Sequence, residues 1–262
     1  MAYSSADFEF ELDLFRREVE SGIQFLYSYL AIHGLAAKYK PVKHTLNEAP
    51  LFWNTILGAL QTGMFIVPGR IFDQDSKHNV DRLLMLTRNN RQLFLRQSLR
   101  RRKAVDNNQE PDWLDKYVAD AHEPTANDFR ELRIHVKRWR QVYNDKYRDI
   151  RRKYYAHREL SQKEEIDALF SKTQIRELQT MFLMLHSIYE ALWGLYHNGQ
   201  KPIVRRRRVS LERMLRNTSS SGSGSDIHVR LVSEAKEFLL ECSKRPAALI
   251  TKECASNQVI LS

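Results

Sequence analysis

Eight residues between Phe129 and Tyr154 constrain the fold of this chain more than any others. Phe129, Leu132, Val136, Trp139, Tyr143, Tyr147, Ile150 and Tyr154 follow one another at steps of 3, 4, 3, 4, 4, 3 and 4. An α-helix turns once every 3.6 residues, so these steps keep all eight on one face for about seven turns. A strand would scatter them over both faces. A stripe of that length has to be buried against other elements, and Asp128 near its start and Arg148, Arg151, Arg152 and Lys153 near its end suit the helix dipole.

The remainder reads the same way. Phe15, Val19, Ile23, Leu26, Leu30 and Leu35 predict a helix over about Asp7 to Lys40, broken by the stretch from Pro41 to Pro50. An apolar helix is expected from Leu51 to about Phe72, kinked near its end by Pro68, followed by a turn and helix cap at Asp73-Gln74-Asp75-Ser76. Shorter helices are expected over Val80 to Leu86, Arg91 to Arg102 and Trp113 to Ala121, with a polar loop from Ala104 to Asp112. A helix over about Lys172 to Tyr196 stops at Gly199 and Pro202, and a short amphipathic segment runs to Arg216. Asn217 to Asp226 reads as a Ser/Gly-rich linker, Ile227 to about Lys244 as a terminal helix and the last residues as a disordered tail. Nine Gly and seven Pro in 262 residues are too few for a fold with many tight β-turns. The fold class expected is all-α.

Forty-two Lys and Arg against 32 Asp and Glu give a formal charge of +10. That balance favours a polyanionic partner, RNA or DNA before a membrane. Leu51 to Gly69 and Met181 to Gly199 approach the length of a bilayer span, but Asn54, Gln61 and Pro68 interrupt the first and His186, Glu190 and His197 the second. Both are read as buried core helices, and no membrane partner is expected. The only cysteines, Cys242 and Cys254, form neither a C-x-x-C motif nor a disulfide framework, and no signal peptide is read at the N-terminus. A reducing cytoplasm fits.

Ile150-Arg151-Arg152-Lys153-Tyr154-Tyr155-Ala156-His157-Arg158 closes the striped helix and sets a histidine just beyond two arginines. Arginine holds a phosphate in a fork of hydrogen bonds, and histidine moves protons near neutral pH. Five residues separate Arg151 from His157 and four separate Arg152 from it. With the preceding block Gly69-Arg70-Ile71-Phe72-Asp73 through Leu84, this order of parts resembles the HEPN superfamily, in its abortive-infection AbiU-like branch. That family carries an arginine four to six residues ahead of a histidine at a helix end. The local pattern makes Arg151 the closer counterpart, and the resemblance covers about Phe8 to Tyr196.

The resemblance implies a HEPN-like bundle of long antiparallel helices, expected over residues 1–200; the sequence pattern adds a basic segment and linker over 201–226 and a C-terminal helix and tail over 227–262. The resemblance further implies a homodimer joined through the motif helices. In active members, paired Arg/His sets cut single-stranded RNA without a metal or other cofactor. Arg151, Arg152 and His157 are then the catalytic candidates. Lys153, Arg158 and Arg148 are candidate RNA contacts, and Arg70 with Asp73 a supporting ion pair. The setting implied is prokaryotic defence of toxin type, with an antitoxin or defence partner. The alternative readings are a non-catalytic HEPN module that binds RNA, a nucleotide or a protein, and a purely structural scaffold. No His/Asp/Glu set has metal-ligand spacing, and there is no Gly-rich phosphate loop. Arg100 to Lys103 and Arg205 to Arg208 are runs suited to phosphates that more commonly form solvated surface. Trp139, Tyr143 and Tyr147 are read as core.

Overall fold

Every regular element among the described residues is helical. The computed structural model describes residues 4–104, 111–156, 162–207, 209–216 and 226–244. In chain order the α-helices are α1 (Ser5–Lys38), α2 (Lys40–Glu48), α3 (Pro50–Phe72), α4 (Val80–Asn89), α5 (Arg96–Ala104), α6 (Leu114–Asp120), α7 (Ala126–Lys146), α8 (Lys163–Phe170), α9 (Ile175–Asn198), α10 (Leu211–Arg216) and α11 (Ile227–Cys242). A 3-10 turn covers Arg91–Phe94 and a π-helical segment covers Ile150–Ala156. The all-α expectation holds.

Two compact units emerge. The first combines the start of α1, to Ile23, with residues from Thr62 through Arg208. Its core has two aromatic centres. In one, Phe8 meets Phe94 edge-on at 5.0 Å and Tyr196 at 4.8 Å, and Phe94 meets Phe129 at 6.2 Å. In the other, Phe65 stacks on Tyr155 at 5.5 Å and meets Phe170 edge-on, while Phe72 stacks on Tyr143. Edge-on and offset rings add directional attraction to their apolar burial. The second unit groups Gln24–Gln61 with the residues from Val209 onward. There Tyr27 lies 5.1 Å from the buried His228 ring, and Leu211 and Leu215 of α10 close on Gly34 of α1.

Several boundaries differ from expectation for identifiable reasons. The stretch from Pro41 to Pro50 is not a break but contains α2, and its prolines sit at helix starts. Pro41 lies in the first turn of α2 and Pro50 opens α3. In a first helical turn the missing N–H has no intrahelical partner to lose. Pro68 stands inside α3, which continues to Phe72. The cap of α4 is Asn79, whose side chain accepts from the Arg82 N–H at 2.9 Å, rather than Asp73 to Ser76. The helix expected over Arg91 to Arg102 is split into the 3-10 turn and α5, and α8 fills a stretch with no helix expected.

The apolar helices also differ from each other. α9 buries most of its residues, as expected. α3 buries only its second half, from Met64; Leu51 is 81% and Phe52 59% exposed. It is the one described helix long and apolar enough to cross a membrane by length and composition. Its composition lacks the polar stripe that separates a core face from an outer face, so the sequence pattern does not distinguish the two halves.

Candidate functional site

α7 brings the motif into place. Thr125 caps it in a reciprocal box: its hydroxyl accepts from the Asp128 N–H while Asp128 accepts from the Thr125 N–H at 2.7 Å. His122 lies 3.0 Å from the same carboxylate. Burial pushes the Asp128 carboxyl up, but the Thr125 and His122 hydrogen bonds outweigh it and hold the group below its ordinary value. Phe129, Leu132, Val136 and Tyr143 then line the buried face of α7, and Tyr147 and Ile150 continue it.

The stripe therefore runs on as read, but its backbone does not stay α-helical. After Tyr147 the winding changes, and Ile150–Ala156 is a π-helical segment. Wide turns of this kind are rare and concentrate at functional sites. Its aromatic residues fix it: Tyr155 on Phe65, and Tyr154 edge-on to Phe170 at 5.4 Å. The buried Tyr147 hydroxyl lies 3.1 Å from both the Gln174 carbonyl and the Glu177 carboxylate, and Lys146 pairs with Glu177 at 2.8 Å.

The two motif arginines part ways. Arg151 turns inward and its guanidinium pairs with Asp73; the side chains are 24% and 31% exposed. To reach Asp73 it crosses Gly69, where a Cβ would stand 2.3 Å from the Arg151 Cδ. The Tyr143 hydroxyl faces the same guanidinium. Burial pushes the Arg151 pKa down, but Asp73 and Tyr143 together raise it, so the group stays charged. Burial pushes the Tyr143 hydroxyl up despite the adjacent cation. Arg152 points outward, exposed, and has no ion pair among the described residues. Arg148 is likewise exposed, while Lys153 pairs with Asp149 at 3.3 Å. His157 and Arg158 lie outside the described residues.

The expected Arg70–Asp73 pair does not form. Arg70 is 60% exposed and reaches Glu18 at 3.5 Å, and Asp73 takes Arg151 instead. Gly69 and Asp73 are four residues apart and share a helix face, so the missing side chain at Gly69 opens a slot leading to the carboxylate. That spacing was the available signal for this contact, which the sequence reading missed. Tyr143 was read as core only; it is core, and it also faces the motif arginine. Among the described residues no group of three or more His, Cys, Asp or Glu is placed to hold a metal ion.

The local design is thus one charged, half-buried arginine in a socket made by Gly69, Asp73 and Tyr143, with a second arginine beside it in solvent. Comparison with curated proteins and with solved structures finds no match. Residues 5–214 match the family model HEPN_AbiU2, and with most of its length covered the chain belongs to the AbiU2 family of HEPN domains, an abortive-infection family.

Proposed function

We propose that this abortive-infection HEPN protein acts on single-stranded RNA as a metal-independent endoribonuclease, through a homodimeric site. The observation that carries the reading is the divided arginine pair on the π-helical turn immediately before His157. Arg151, held by Asp73 beside the Tyr143 hydroxyl, is a positioning residue that fixes the turn. Arg152, exposed and without an ion pair among the described residues, meets a scissile phosphate and offsets the charge that builds on its oxygens. His157 takes the proton from a ribose 2′-hydroxyl as that oxygen attacks the neighbouring phosphorus. The bond to the 5′-oxygen breaks, and the second His157 of the dimer protonates the leaving oxygen. The products are a 2′,3′-cyclic phosphate and a 5′-hydroxyl. Arg148 and Lys153 flank the strand, and Arg158 extends the same contact. The setting is cytoplasmic, under control of an antitoxin or other defence partner.

Incubation of the purified protein with single-stranded RNA in EDTA tests this. Wild type is expected to release cyclic-phosphate ends, and His157→Ala to be slower by roughly 100-fold or more. Equal cleavage by both proteins removes His157 from the chemistry. The Arg151–Asp73 pair also favours a second reading, a non-catalytic module that binds RNA. That reading expects salt-dependent RNA binding with no cleavage in either protein.

A further inference from the structure

α9 ends in a chain reversal that builds a groove far along the sequence from the motif. Gly199 adopts φ 60°, and the N–H of Gln200 donates back to the Gly194 carbonyl at 3.0 Å. The chain then doubles back along α9, and the N–H of Arg205 donates to the buried Ser187 hydroxyl at 2.7 Å. A groove of about 600 Å³ lies between this strap and the helix. Its helix wall includes Tyr189 and Trp193, and its strap wall includes Lys201, Ile203 and Arg205.

Two properties of the groove go together. Trp193 is 41% exposed on a helix that buries most of its other residues, with the His197 ring tilted against it at 4.8 Å. Lys201 and Arg205 are exposed and carry no ion pair among the described residues. Arg207 is different: it donates to Glu190 at 2.6 Å, so the one carboxylate in the groove is already neutralised. A solvated basic run explains the cations but not a part-exposed tryptophan lining the same groove. Gly194 and Ser187, the strap's two anchors, are seven residues apart on α9, or about 10 Å along its axis. One phosphate group does not span that separation, whereas successive phosphates of a strand do.

We infer that this groove is a single-stranded RNA track, with a base stacked on Trp193 and successive phosphates on Lys201 and Arg205. Arg205, the first residue of the run Arg205 to Arg208, thereby acquires a role that the Arg/His motif does not give it; Arg208 lies outside the described residues. Base stacking needs an unpaired strand, so the track selects single-stranded over duplex RNA. The inference rests on the RNA-acting reading for its ligand, but it concerns binding and requires no cleavage.

The test is fluorescence anisotropy of the full chain with a labelled single-stranded RNA of mixed sequence, and with the duplex of the same length, in EDTA. Trp193→Ala is expected to weaken single-strand binding at least five-fold and to leave duplex binding unchanged. The double variant Lys201→Glu with Arg205→Glu is expected to weaken binding at least ten-fold. It should also flatten the slope of log affinity against log salt by about 1.4, the value for two lost phosphate contacts on a single strand. A charge-matched control, Arg230→Glu with Lys244→Glu, is expected to bind as wild type does. Trp193→Phe, which keeps a stacking face and guards against loss of the fold, is expected to recover most of the affinity. Unchanged affinity and salt slope in both groove variants overturn the inference, as does absence of single-strand binding by wild type. If wild type cuts RNA while the groove variants bind like wild type, the groove inference alone fails. If the groove variants lose binding but no protein cuts RNA, the endoribonuclease reading alone fails.

Discussion

Removing the Asp73 carboxylate should cost this protein more than removing the Arg70 cation, although sequence proximity couples those two residues. In Asp73→Ala the Arg151 guanidinium loses its ion-pair partner. Its Nε is already buried without a hydrogen bond, so little within reach compensates. Exposed ion pairs contribute roughly 0.2–1 kcal/mol, and breaking a fully buried pair costs about 3–5 kcal/mol. With side chains 24% and 31% exposed, the Asp73–Arg151 pair lies between these limits, at about 2 kcal/mol. Arg70, 60% exposed and 3.5 Å from Glu18, should contribute about 0.5 kcal/mol or less. Urea unfolding followed by circular dichroism supplies the numbers. A cycle of Asp73→Ala, Arg151→Ala and the double variant should give a coupling energy of about 1–2 kcal/mol. Coupling below about 0.3 kcal/mol would refute the socket, because distant independent sites add to within that margin. So would an Arg70→Ala variant as unstable as Asp73→Ala.

Two further perturbations address what presents the site. Thr125→Ala removes the α7 cap and should destabilise by about 1 kcal/mol in the same unfolding assay. Because the Asp128 carboxyl is held below its ordinary value when folded, it stabilises above the unfolded value near 3.9 and loses that contribution as acid titrates the folded carboxyl. Asp128→Asn should therefore flatten the acid limb of a stability–pH profile, and an unchanged limb would contradict the assignment. Gly199→Ala places a Cβ at φ 60°, 2.6 Å from the Ala121 Cβ and 2.8 Å from a Leu99 methyl. Left-handed backbone alone costs an L-residue roughly 1–2 kcal/mol, so thermal unfolding should show a loss of at least about that size.

The helical class was legible because its evidence is periodic and redundant. The stripe from Phe129 to Tyr154 survives any single misreading, and Phe129, Leu132, Val136, Tyr143, Tyr147 and Ile150 are all buried. The change to a wider turn at Ile150 was not legible, since three- and four-residue steps suit both windings for a turn or two. Prolines 41 and 50 were read as punctuation when they were helix starts; the residue is the same and only the neighbouring helix decides. The socket depends on a contact between residues 69, 73 and 151, and periodicity reports only neighbours within an element. The run Arg100 to Lys103 shows the same limit. It reads as surface, yet Arg102 donates to the Leu93 and Tyr196 carbonyls and lies 3.9 Å over the Tyr196 ring. Burial lowers its pKa, and hydrogen bonds to two carbonyls near helix ends offset that cost.

The wide turn at Ile150–Ala156 alters what a change of length means here. Deleting one residue from an α-helix rotates everything beyond it by about 100°. A π turn holds one residue more than an α turn, so losing one within this segment lets the ladder tighten while the following residues keep their phase. The segment, which carries the socketed arginine, acts as a length buffer up to Ala156. A one-residue change of length after Arg151 can thus be taken up within the described turn without rotating Ala156 away from the arginine.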